Sequence, residues 1–224
     1  MVMLTNLELI RRVPLFSMLN AEQAQSVAET VSKRRFKRGD TLVEQGKKTN
    51  YLFILLTGRA RVVTSDARGR EVILATLNPG DHLGEMSLID NETHSATVRA
   101  EVQTDVLVLD RAEFARLLPE NTSMAYAVMK GLVQRLRMAD RKIESLALMD
   151  VYGRVARVLL ESAQDNGQGE HIIRDKISRQ DIAKMVGASR EMVSRVMKDL
   201  EEQGFIETRE DASTLVRDRI STLE

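Results

Sequence analysis

Ala125, Met129, Leu132, Leu136, Ala139, Ile143 and Leu146 follow one another at alternating steps of four and three residues. That spacing draws one apolar stripe along a helix of about 30 residues, roughly 45 Å long. A stripe of this length has to be covered. The chain's own β-rich segment is one cover, and a second copy of the helix in a parallel, coiled-coil-like seam is the other. A small barrel offers too little surface for so long a helix, which favours the second copy. The two alanines weaken the seam, so the β-rich segments are expected to share the interface.

On either side of the stripe the pattern changes. Residues 1 to about 34 read as helical through Leu4, Leu7 and Ile10, then through Leu19, Val27 and Val31, with Pro14 as the break. From Phe36 to Leu109 the chain turns to short runs (YLFILL, ARVVT, EVILATL, SATVRA, TDVLVL). Turn signals separate them near Gly39, Gly46, Gly58, Gly69 and Pro79-Gly80. Turns about every ten residues predict an all-β barrel or jelly roll, because nothing between them is long enough for a crossover helix. Asp150-Val151-Tyr152-Gly153 interrupts the stripe and predicts a hinge, with a short helix following Gly153. The chain therefore reads as α+β in three parts: a β-roll over 1–120, a dimerisation helix over 121–149 and a second domain over 150–224.

The second domain carries the most specific local pattern. Ser178, with Asp181 three residues on, has the spacing of a helix cap and opens the apolar helix IAKMV. Gly187-Ala188 makes a tight turn, and Ser189 caps a further helix whose buried side is expected to carry Met192, Val193, Val196, Met197 and Leu200. Two short helices joined across a glycine form a helix-turn-helix pattern, whose second helix enters the DNA major groove. Arg190, Glu191 and Arg195 stand on its open face. An Arg fork pairs with guanine O6 and N7, and a Glu carboxylate accepts from cytosine N4. Arg179, Ser189 and Ser194 suit phosphate contacts, which fix register without reading sequence. Gly204-Phe205-Ile206 followed by TREDASTLVRD adds a two-stranded wing.

Other classes are disfavoured by what the chain lacks. It has no cysteine, which excludes disulfides, thiolate metal sites and iron-sulfur clusters. His82, His94 and His171 have no metal-ligand spacing, so no metal and no resident cofactor is expected. No nucleophile–base pair or P-loop stands out, so an enzyme is not expected. Lys plus Arg and Asp plus Glu both number 33, so any nucleic-acid contact must be a local patch. No leader or membrane span is read at the N-terminus, and the expected location is the cytoplasm.

These residues resemble the cyclic-AMP receptor protein and nitrogen-fixation/anaerobic regulator superfamily of bacterial transcription factors, over nearly the whole chain. Gly187-Ala-Ser-Arg190-Glu191-Met-Val-Ser-Arg195 looks like that superfamily's recognition helix, which implies a palindromic operator with TGTGA-like half-sites. LALMDVYGR, residues 146–154, looks like its hinge. Pro79-Gly80-Asp81-His82-Leu83-Gly84-Glu85 resembles the entry to its phosphate-binding cassette, which continues to Ser95-Ala96. The resemblance implies a homodimer that binds double-stranded DNA and contacts RNA polymerase, with the loop Asp165 to Glu170 at the polymerase-facing position. It also implies an effector held by Gly84, Glu85 and Ser95, close to His94.

The cassette departs from the cyclic-AMP pattern. His94 stands where the superfamily has its phosphate-pairing arginine, and a neutral imidazole cannot act as a permanently charged clamp. Ala139 and Asp140 stand where two polar residues contact adenine. In this the chain resembles the members of that superfamily that respond to cyclic di-GMP, and the resemblance makes cyclic di-GMP the favoured effector, with Arg99, Arg135 and Arg141 as cations for its two phosphates and Asp140 as an acceptor for a guanine edge. A cyclic-AMP-dependent regulator, a ligand-independent regulator and a cyclic-nucleotide regulatory subunit that does not bind DNA remain as alternatives.

Overall fold

The computed structural model describes residues 5–17, 19–165, 171–175, 177–209, 211, 213–217 and 220–221. The chain forms two compact bodies, Met1–Leu136 and Arg137–Glu224, and the division falls inside the long helix.

The first body opens with α1 (Asn6–Ile10) and α2 (Ala21–Thr30), each under a reciprocal cap, Thr5 with Glu8 and Asn20 with Gln23. A 3-10 turn at Pro14–Phe16 lies between them, with proline where the missing N–H costs nothing. Helix ends at Thr30, so the helical reading to about residue 34 overshoots. Ser32–Phe36 is instead the charged strand β1, paired along β8 (Thr104–Asp110) with Arg35 bound to Asp105 at 2.6 Å. Its sequence, SKRRF, has no apolar alternation to betray a strand.

The remaining strands are β2 (Thr41–Val43), β3 (Tyr51–Thr57), β4 (Ala60–Ser65), β5 (Glu71–Leu77), β6 (His82–Leu83) and β7 (Thr97–Ala100). They form two antiparallel sheets, ordered β1-β8-β3-β6 and β2-β7-β4-β5, which make the expected jelly roll. Phe53, Leu55, Val106 and Val108 of the first sheet pack on Leu42, Ala60, Leu77, Val98 and Ala100 of the second. The other face of β3 and β8 presents Leu52, Ile54, Leu107 and Leu109 to the helices, among them Phe114 and Leu117 of α4 (Arg111–Glu120). Because both faces of β3 are buried, YLFILL runs apolar without alternation. A short helix, α3 (Glu85–Asp90), interrupts the strands where the sequence shows only turns.

The long helix α5 spans Thr122–Leu148. Its row Met124, Val128 and Leu132, one turn apart, packs on the first body's own core. Tyr126, Met129, Val133 and Leu136 form the solvent face, 50–62% exposed. Of the residues expected in a seam, Ala125 and Leu132 are half-buried and Met129 and Leu136 exposed, and Tyr126 and Val133 lie exposed beside the latter two. In the second body Ala139, Ile143 and Leu146 are exposed.

The second body continues with α6 (Val151–Ser162). Asp150 caps it by accepting from the Gly153 N–H at 2.8 Å, so Gly153 lies in the first turn of the helix rather than ahead of it. Then come β9 (Gln164–Asp165), β10 (His171–Ile173), α7 (Arg179–Val186), α8 (Arg190–Glu202), β11 (Ile206–Thr208) and β12 (Thr214–Val216). The wing belongs to a four-stranded sheet, β11-β12-β10-β9, and is not an isolated pair. Val155, Leu159, Ile182, Val193, Val196, Leu200 and Val216 close one core. Met192 is 38% exposed, not on the buried side. Residues 166–170 of the expected polymerase-facing loop lie outside the described residues. Leu200→Ala, at a fully buried position, should lower the unfolding free energy by roughly 2–4 kcal/mol, read as a lower urea midpoint at unchanged slope.

Candidate effector pocket and nucleic-acid interface

In the first body the candidate pocket is built around a left-handed glycine. Gly84 has φ +97°, and a Cβ there would lie 2.5 Å from the Tyr51 carbonyl oxygen, so the packing of this turn on β3 admits no side chain. The turn delivers Glu85 as the first residue of α3, only 1% exposed. An isolated carboxylate at such depth would be costly, and the compensating cation comes from α5. Arg135 Nη1 donates to Glu85 Oε1 at 2.5 Å, and its other terminal nitrogen donates to the His82 carbonyl. Burial pushes the Glu85 carboxyl above its ordinary range, and the charge of Arg135 works against that shift. Glu85 Oε2 is buried with no hydrogen-bond partner.

The other residues expected to hold an effector are placed differently. His94 is buried, its Nε2 lies 2.9 Å from Thr49 Oγ1, and its main chain bonds to Gly46 and Lys47. Burial also lowers its pKa. The ring is therefore a neutral strut between two loops, without the charge of an anion clamp. Ser95 is exposed. Arg99 is exposed as well and donates to Glu71 Oε1 at 2.6 Å. Asp140 is exposed on the part of α5 that belongs to the second body. Of the expected set, the structure brings together Gly84, Glu85 and Arg135.

In the sequence His82 has no role beyond its place in the stretch that resembles the cassette entry. It is 8% exposed, with its Nε2 buried and unpartnered. Burial, and then the nearby Arg135, pushes its pKa down to about 4, so the ring is neutral at neutral pH. The signal that points to it is Gly131, a glycine within a long amphipathic helix, against which the ring lies.

In the second body local rules place the residues expected to contact DNA. Ser178 Oγ accepts from the Asp181 N–H at 3.0 Å and starts α7, which stops at Gly187 with φ +67°. Ser189 Oγ accepts from the Met192 N–H at 3.2 Å and starts α8. Val193, Val196 and Leu200 anchor α8 inward, which leaves Arg190, Glu191 and Arg195 exposed on its outer face. Ser194 is half-buried beside them, and Arg179 and Ser189 are exposed. The Glu191 carboxyl is held below its usual range by its own backbone N–H and by the Ser189 hydroxyl, so it is an ionised acceptor. Among the described residues no group of His, Asp and Glu could hold a metal ion, and no helix is long and apolar enough to cross a membrane.

Comparison with known proteins places both halves. Residues 33–121 match the Cyclic nucleotide-binding domain, and residues 153–220 match the Crp-like helix-turn-helix domain. The chain is 38% identical over 180 residues to the cAMP-activated global transcriptional regulator Vfr of Pseudomonas aeruginosa, covering 78% of this chain and 84% of Vfr. The chain belongs to the CRP family. This CRP-family chain is also 34% identical over 175 residues to the cAMP-activated global transcriptional regulator CRP of Salmonella typhimurium, covering 77% and 83% of the two. Among solved structures it is similar to the c-di-GMP responsive global regulator CLP of Xanthomonas campestris, with a TM-score of 0.76 and 25% identity over 88% of this chain and 99% of that one. As a CRP-family member it is a DNA-binding transcription regulator with a nucleotide-binding domain.

The Glu85–Arg135 pair yields a signed expectation. Arg135→Met strands the buried Glu85 and should cost about 2–3 kcal/mol at neutral pH, the lower end for a buried pair because Arg135 is one-third exposed. The Glu85 pKa then rises further, and a carboxyl with a raised folded-state pKa gains relative stability as pH falls through that value. The deficit, read by urea unfolding, should shrink on acidification and be largely absent in Glu85→Gln/Arg135→Met.

Proposed function

We propose that the chain is a homodimeric regulator whose DNA affinity is set by a nucleotide second messenger at Glu85 and Arg135, with cyclic di-GMP favoured. The observation that carries this reading is the buried, unpartnered Glu85 Oε2. A buried acceptor left unpaired costs about 1–3 kcal/mol, and a ligand hydroxyl would recover it. The neutral, Thr49-bound His94 leaves a cyclic-AMP phosphate without the charged clamp that the family resemblance implies. The similarity to CLP, which is c-di-GMP responsive, supports the same preference.

On this reading Arg190, Glu191 and Arg195 read a TGTGA-like palindrome, and Arg179, Ser189 and Ser194 hold its phosphates. The exposed apolar face of α5 forms the seam with a second copy, which sets the two recognition helices about 34 Å apart, one turn of the duplex. The downstream partner is RNA polymerase, and the site of action is the cytoplasm. A second reading, cyclic AMP as effector, is favoured by the identity to Vfr and CRP.

Isothermal titration with each nucleotide, with and without a TGTGA-palindrome duplex, tests the proposal. Cyclic di-GMP should bind at least about tenfold more tightly than cyclic AMP and shift the DNA affinity. The reverse order establishes the cyclic-AMP reading, and binding of neither overturns the effector role of Glu85. Arg190→Ala and Arg195→Ala should each cost about 1–3 kcal/mol in DNA binding and leave nucleotide affinity unchanged.

A further inference from the structure

Gly131 is the sole glycine in α5, and nothing in its backbone conformation calls for one. Within a helix, glycine costs about 1 kcal/mol relative to alanine, so a packing reason is expected. The neighbouring ring supplies it. A Cβ built on Gly131 would lie 2.9 Å from His82 Cε1 and 3.3 Å from His82 Nε2. The imidazole fills a notch in the helix that only a missing side chain provides.

The same residue is gripped one turn further along. Arg135, four residues after Gly131 and on the same face, donates to the His82 carbonyl and to Glu85. The helix therefore holds the β6–α3 segment at three points: the His82 ring at Gly131, the His82 carbonyl at Arg135 and the Glu85 carboxylate at Arg135. β6 is the last strand of its sheet and pairs with β3 through only two residue pairs, with Leu83 buried in the core between the sheets, so the helix contacts add three anchors to a short pairing. The ring's buried Nε2 finds no partner in the seat. Like Glu85 Oε2, this atom leaves the contact incompletely satisfied, and so open to a shift by a modest binding energy.

We propose that His82 is a positioning residue: seated in the Gly131 notch, it registers the long helix on the effector site and converts occupation of Glu85 into a movement of α5. This rests on the reading of Glu85 as an effector contact. His82 itself touches the helix, and its influence on the effector passes through Arg135.

The test uses full-length His82→Ala, Gly131→Ala, His82→Ala/Gly131→Ala and His82→Phe. For each protein the affinity for a labelled TGTGA-palindrome duplex is measured with and without cyclic di-GMP and cyclic AMP, alongside nucleotide affinity and urea stability. Gly131→Ala expels the ring and His82→Ala empties the notch. Each should reduce the nucleotide-induced change in DNA affinity by about tenfold, and the double variant should lose no more than either single one. His82→Phe keeps a flat ring in the notch and should retain the response. A merely structural role would lower stability and leave the response intact. An unchanged response in both single variants, or additive losses, overturns the proposal. Should the wild type bind neither nucleotide, the effector reading falls. The seat is then judged on ligand-free DNA affinity, where the same non-additive change of about tenfold is expected and its absence is decisive.

Discussion

Burying a carboxylate costs several kcal/mol unless a cation is buried with it. In this chain the cation stands 50 residues further along, on a different element. Glu85 is deep because Gly84 turns β6 tightly under β3, and the charge of Arg135, brought over it by α5, offsets part of the cost of that burial. The jelly roll and the first half of the long helix are thus bound by electrostatic need as well as by the apolar row Met124, Val128 and Leu132. Any ligand that reaches Glu85 enters a contact the helix is already making. The opposite side of that helix carries the exposed apolar face, so the Glu85 contact and that face lie on one element.

The parts of the molecule legible in sequence are those governed by local rules. Ser178, Gly187 and Ser189 cap and stop their helices through bonds spanning a few residues, so the recognition helix and its outward residues could be read directly. Apolar runs separated by glycines likewise showed the jelly roll. What escaped depends on partners distant in the chain. β1 is a strand because β8 pairs with it, not because SKRRF alternates. On α5 the β-roll claims the row Met124, Val128 and Leu132, a choice of row that periodicity alone cannot make. Met192 sits at a position whose spacing suits either side of a helix.

Charge shows the same limit. Composition counts cations, whereas a ligand meets only those not already committed. Arg99 is engaged by Glu71 and Arg135 by Glu85, so an incoming phosphate would have to compete for either. His94 stands at a position that resemblance reads as a clamp, yet Thr49 takes its Nε2 and burial keeps it neutral. Position shows where this residue lies in the chain, and only its surroundings show what its ring touches. Conversely, His82 and Gly131 carry no motif, and their relation exists only where the ring meets the helix.

The charged strand β1 has a consequence for how copies of this protein meet. An outermost strand exposes unpaired N–H and C=O groups and invites strand addition from another molecule. With equal numbers of acidic and basic residues, the chain has no overall repulsion to keep copies apart. Residues 33–38, KRRFKR, put five cations into six positions at that edge. Two such edges brought together would set like charges directly opposite one another. The charge thereby guards the jelly roll against fibre-like stacking, and in the proposed dimer self-association would run instead through the apolar face of the helix, giving a closed pair and not an open-ended polymer.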